Sequence, residues 1–119
     1  MTASSVEPTI DLVTIDVTET DTGIRLTATG EIDSSSAPQF RAPLDAALDG
    51  GAQEIVVDLC GVSFLDSAGL CVLAAAHRRA VRSGVRLSVL ASSRAVIRPM
   101  QITGLYDLLN VRLEPDTAA

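Results

Sequence analysis

Two stretches near the start of the chain alternate strictly between apolar and polar side chains. Val13, Ile15 and Val17 are interleaved with Thr14, Asp16 and Thr18, and after Asp21-Thr22-Gly23 the residues Ile24, Leu26 and Ala28 are interleaved with Arg25, Thr27 and Thr29. Successive side chains of a strand point to opposite faces, so each stretch predicts a strand with one buried face, and the short glycine-containing link predicts a hairpin. Past "GEIDSSSAP" the period changes. Phe40, Leu44, Ala47 and Leu48 fall on one face of a helix that Gly50-Gly51 stops. Pro43 lies inside that pattern and has no backbone donor, which predicts a kink or a late helix start.

"EIVVDL", Glu54 to Leu59, is short and almost wholly apolar, as a parallel strand buried on both faces should be. A helix is predicted from about Ser67 to Ser83, basic near its end at Arg78, Arg79 and Arg82 and stopped by Gly84. "VRLSVL" predicts the next strand, a shorter helix runs from Ser92 towards Gly104 across Pro99, and "NVRLE" predicts the last strand. The order ββαβαβαβ predicts a single α/β domain, a mixed sheet of about five strands with helices packed on it, over residues 10–114. Residues 1–9 and 115–119, small, polar and proline-containing, are expected to be flexible ends. Right-handed crossovers between parallel strands make the loops leaving the second, third and fourth strands open on one edge of the sheet, where open α/β sheets place their sites. "GEIDSSS" and "GVSFLDSAG" are therefore expected to share a surface.

Charge and cysteine usage narrow the choices. Nine arginines and no lysine stand against 15 acidic residues, for a net charge of −6, the wrong sign for a nucleic-acid backbone partner. "MTASSVEP" carries neither basic residues nor a long apolar run, and no stretch of about 20 apolar residues occurs, so no membrane insertion and a cytoplasmic location are expected. Cys60 and Cys71 lack metal-ligand spacing and sit in apolar company, which predicts buried free thiols; a redox pair would need their Cα atoms within disulfide reach.

The densest chemistry lies in "DLCGVSFLDSAGL", Asp58 to Leu70. A serine nucleophile would need G-x-S-x-G and a nearby histidine. The residues around Ser67 lack the first glycine, and the sole histidine, His77, is ten positions along the same predicted helix, about 15 Å away. No dinucleotide or Walker A loop occurs. Asp33, Asp58 and Asp66 could converge, yet only Phe40, Phe64 and Tyr106 are available to build an aromatic pocket, and no histidine accompanies the acids to make a metal site. Neither catalysis, nor a cofactor, nor a metal is expected. What stands is a helix N-terminus with an exposed serine, open to two readings: Asp66 or Ser67 as a plain cap, or Ser67 as an acceptor whose phosphate would meet the positive end of the helix.

"GEIDSSSAPQFRAPLDAAL" followed by "IVVDLCGVSFLDSAGLCVL" resembles the STAS domain of bacterial anti-sigma factor antagonists, over roughly Val13 to Leu113. The resemblance implies partner switching: the unphosphorylated protein binds an anti-sigma factor, often a serine kinase, and frees a sigma factor; phosphorylation breaks the contact and a phosphatase restores it. It implies that Asp33 lies on the kinase-facing edge and that Asp66, Ser67 and Gly69 fall on the phosphorylation loop, giving a partner surface of Asp33, Ser34, Ser35, Asp66, Ser67, Ala68 and Gly69. The family pattern is D-S-S-G or D-S-T-G, with the second hydroxyl as acceptor; Ala68 stands there, leaving Ser67 as the candidate phosphorylation site or the protein as an unswitched binder. The family's closing helix has little sequence to form from in "DTAA". Two other roles fit the same resemblance: the STAS subunit of a lipid-transport ABC system, where D-S-A-G is at home, and a stressosome-like scaffold.

Overall fold

The computed structural model of the protein describes residues 12–114. Along the chain run β1 (Val13–Glu19), β2 (Gly23–Ile32), α1 (Ala37–Asp49), β3 (Glu54–Leu65), α2 (Ser67–Ser83), β4 (Arg86–Ala91), α3 (Arg94–Thr103), α4 (Leu105–Leu108) and β5 (Val111–Leu113). They form one five-stranded sheet in the order β1-β2-β3-β4-β5. β1 pairs antiparallel with β2, and every other pairing is parallel. This is the α/β arrangement expected from the alternating pattern. The expectations for residues 1–9 and 115–119, and for a closing helix, lie outside the described residues.

Register assigns the faces. Leu26 pairs with Val57, Val57 with Val89 and Val89 with Val111, so these apolar residues point to one side. Against that side α1 buries Phe40, Leu44, Ala47 and Leu48, and α2 buries Leu73, Ala76 and Ala80. Burying each such large aliphatic or aromatic side chain contributes roughly 1.5–3 kcal/mol. The opposite side carries a polar set, with Arg25 beside Val56 and Ser88, and Thr27 beside Asp58, Leu90 and Arg112.

Four expectations are corrected. β3 does not end at Leu59 but runs to Leu65, and two register shifts against β2 insert an extra residue after Asp58 and another after Val62. Such bulges break the two-residue period, so Leu59, Val62 and Leu65 are the buried positions, spaced by three. Of the two outcomes expected from Pro43, the late start does not occur: α1 begins at Ala37, Pro38 occupies the first turn where a backbone donor is dispensable, and Pro43 lies inside the helix. The buried face formed by Phe40 and Leu44 outweighs the one missing donor. A short helix, α4, follows the αL turn at Gly104 and was absent from the periodic pattern. Finally, the cysteines are both free, but Cys71 is exposed and Cys60 only half-buried. Cys71 shares the outer face of α2 with Ser67 and Arg78, so its apolar neighbours in sequence are not its neighbours in space.

Candidate functional site

β2 and β3 end side by side. Ile32 pairs with Leu65, and the Asp66 N–H donates to the Ile32 carbonyl at 3.2 Å. The residues that follow, Asp33-Ser34-Ser35-Ser36 and Asp66-Ser67-Ala68-Gly69, are two neighbouring turns, each leading into a helix. Parallel pairing thus brings together segments 33 positions apart in sequence.

The first turn is closed by its own side chains. Asp33 Oδ1 accepts from the Ser35 N–H at 2.8 Å, the Ser35 hydroxyl at 2.7 Å and the Ser36 N–H at 3.2 Å. These bonds, the Ser35 hydroxyl first, hold the Asp33 carboxyl below its usual value. Ser36, only 2% exposed, donates its hydroxyl to the Glu31 carbonyl at 2.8 Å and accepts from the Asp33 N–H at 2.9 Å. The Asp33 carbonyl accepts from Ala37 at 2.8 Å, which starts α1. Ser34 and Ser35 are exposed.

The second turn is held differently. Asp66 has extended backbone angles and its carboxylate accepts from the Ala68 N–H at 2.9 Å, the geometry of an N-cap. Its carbonyl receives the first helical bond, from Leu70 at 3.0 Å. Gly69 is buried where the helix start presses on the strand ends: a Cβ there would come within 2.4 Å of Leu65 Cδ1 and 2.8 Å of Ile32 Cγ2. Only glycine lets α2 sit that close to β2 and β3. Ala68 is half-buried and packs against the core, whereas Ser67 is exposed, and its hydroxyl has no hydrogen-bond partner among the described residues.

Two nearby residues were not singled out by sequence pattern. Ser36 ties the first turn together, and its only sequence signal is its place three residues after Asp33 at a helix start. Phe64, 47% exposed, stands at the second bulge just before the turn. Remote from the edge, His77 is half-buried on α2. Asp58 is drawn into an ion pair with Arg25 at 2.5 Å and accepts from the Cys60 N–H at 2.9 Å. Burial pushes its carboxyl up, and the Cys60 N–H and Arg25 outweigh it, leaving it lowered. Burial, together with Asp58, pushes the Cys60 thiol up to about 11, so it stays protonated and a poor nucleophile near neutral pH. Among the described residues no group of three or more metal-ligating side chains converges. No helix among them is long and apolar enough to cross a membrane.

A mixed sheet crossed by helices, with two Asp-headed turns at the C-terminal ends of adjacent parallel strands, defines a small α/β domain with both turns on one edge. A protein-family model described as "Mlab, STAS domain" matches residues 15–110, and the chain belongs to the STAS domain family. It is 32% identical over 99 residues to the anti-sigma-B factor antagonist of Bacillus subtilis, covering 83% of this chain and 90% of that protein. The anti-sigma-B factor antagonist of Listeria monocytogenes is 30% identical over 101 residues, with 84% and 89% covered. Among solved structures, an anti-sigma factor antagonist from Mycobacterium paratuberculosis superposes with a TM-score of 0.79 at 30% identity, covering 87% of each chain. The unphosphorylated antagonist SpoIIAA shares the fold, with a TM-score of 0.73 at 22% identity over 87% of this chain and 90% of that one.

Proposed function

We propose that this protein is an anti-sigma factor antagonist: the edge formed by Asp33, Ser34, Ser35, Asp66, Ser67, Ala68 and Gly69 docks an anti-sigma factor of the serine-kinase type, releasing a sigma factor. The observation that carries this reading is the exposed Ser67 hydroxyl, without a partner among the described residues, at a capped helix start directly beside the Asp33 turn. The names of the relatives supply the kind of partner. Phosphorylation of Ser67 would add about −1.5 to −2 charges next to two carboxylates. The positive end of the α2 dipole would hold the phosphate in place, and the altered charge would expel a partner shaped for the hydroxyl. A phosphatase would reset the edge. Such a switch needs no catalysis by this chain and suits a cytoplasmic regulator.

The experiment is to mix the protein with an anti-sigma serine kinase from the same genome and follow binding and intact mass. Binding without ATP, gain of one phosphate with ATP, and loss of that phosphate in Ser67→Ala are expected. A kinase that binds the protein and leaves its mass unchanged would remove the phosphoswitch; absence of binding to any such kinase would remove the docking role. Ala68 favours a second reading, a STAS subunit of a lipid-transport ABC system that needs no phosphoacceptor. Co-purification with an ATPase subunit and membrane components is its signature.

A further inference from the structure

At the opposite edge of the sheet, where β3 and β4 begin, a pocket of about 420 Å³ is lined by Glu54, Arg86, Leu87, Ser88, Asn110 and Arg112. Register explains why its polar side chains converge. Glu54 pairs with Arg86, Ser88 lies two residues further on the same side of β4, and Arg112 pairs with Leu90 two residues beyond that. Asn110 enters β5 beside them, its carbonyl accepting from the Val89 N–H at 3.4 Å. All face away from the helices α1 and α2.

The hydrogen-bonding capacity of this pocket is largely unused. Ser88 is 4% exposed, and among the described residues its buried Oγ has no hydrogen-bond partner. A buried hydroxyl is normally satisfied, so an orphan calls for a group that is not part of the chain. Among the described residues the Arg112 guanidinium and the Asn110 side-chain amide have no ion-pair or hydrogen-bond partner. Arg86 approaches Glu54 only at 4.0 Å, while Glu54 Oε1 already accepts the Thr22 hydroxyl at 2.6 Å. Two guanidiniums against one engaged carboxylate make a positive spot on a chain whose net charge is −6.

We propose that this pocket binds a small molecule bearing an oxyanion, a phosphoryl or carboxylate group held by Arg112 and Arg86, with Asn110 donating to the rest of the molecule and Ser88 forming the polar floor. Guanidinium groups suit such oxyanions because their planar donors match two acceptor oxygens at once. The volume is large enough for a small metabolite rather than a bare ion alone. The site lies at the other end of the strands from Asp33 and Ser67, so it does not rest on the proposed docking role.

The test is a two-dimensional amide NMR titration of the full chain at fixed ionic strength with three probes: inorganic phosphate, glycerol phosphate and citrate. Saturable shifts confined to Arg86–Leu90 and Asn110–Arg112 are expected, and Arg112→Gln should weaken binding about tenfold or more. Glu54→Gln, which removes the one repelling charge, should tighten it. Saturation by the phosphates alone identifies phosphoryl recognition, and by citrate alone carboxylate recognition. No saturable shift with any probe overturns the proposal. So do shifts spread over Arg94 and Arg98, or affinity unchanged in Arg112→Gln. Arg86→Gln provides a second variant, since both arginines are exposed and neither supports the core.

Discussion

The turns at Asp33 and Asp66 look alike in sequence, each an aspartate and a serine between a strand and a helix, yet they are held in different ways. In the first, one carboxylate oxygen takes three bonds from its own turn and a buried serine fastens both sides of it. In the second, the carboxylate caps one N–H, and the neighbouring hydroxyl is exposed with no partner among the described residues. The first turn presents a fixed acidic shape, and the second presents a group free to react. A hydroxyl engaged as firmly as that of Ser36 would have to break two bonds before it could meet a kinase, whereas Ser67 breaks none.

The largest effect that would sharpen this contrast is expected from Ser36→Ala. It leaves the Glu31 carbonyl and the Asp33 N–H without their partner in a buried position, at a cost of about 1–3 kcal/mol in chemical denaturation. A cost near zero would mean that the first turn is not held by this serine. Next comes Gly69→Ala. Crowding of the β-branched Ile32 costs about 1–3 kcal/mol, alanine's helix propensity returns about 1 kcal/mol, and the net is a destabilisation of about 1 kcal/mol. A more stable variant would show that α2 can withdraw from the strand ends.

Ser35→Ala acts on charge more than on stability. The depressed carboxyl of Asp33 should move back up towards 3.8, read by carbon-detected NMR titration. Because the folded value is lowered, the contribution of Asp33 to stability is fully present above the ordinary aspartate range and lost as pH falls through the folded value. That acid-side loss should shrink in the variant. The smallest effect belongs to Ser67→Ala, within about 0.5 kcal/mol of the wild type, as for an exposed side chain without partners among the described residues. A larger loss would give Ser67 a structural role and erase the difference between the two turns.

Much of this was legible in the residues themselves. Alternation at Ile24, Leu26 and Ala28 and the apolar run of Ile55, Val56 and Val57 placed two strands, and their parallel pairing followed from the helix between them. The juxtaposition of Asp33 with Asp66 therefore needed no coordinates. The continuation of β3 did not show, because its two bulges place Leu59, Val62 and Leu65 three apart, a spacing no strand period contains. Cys71 was misplaced for a related reason: "GLCVLAAA" is apolar as a string, but a helix deals such a string to both of its faces. Ser36 and Ser67 are the same amino acid in similar strings, and only the hydrogen bonds tell the anchored one from the free one.

β3 begins at Glu54, in the arginine-lined pocket, and ends at Leu65, beside the Asp66 turn. Twelve residues of strand span about 35–40 Å, so guests at the two proposed sites would not touch. The domain has room to work as a two-address adaptor. Between the two ends run β3 and its parallel partner β2, joined from Gly23–Glu54 to Ile32–Leu65 by a ladder whose register shifts twice, after Asp58 and after Val62.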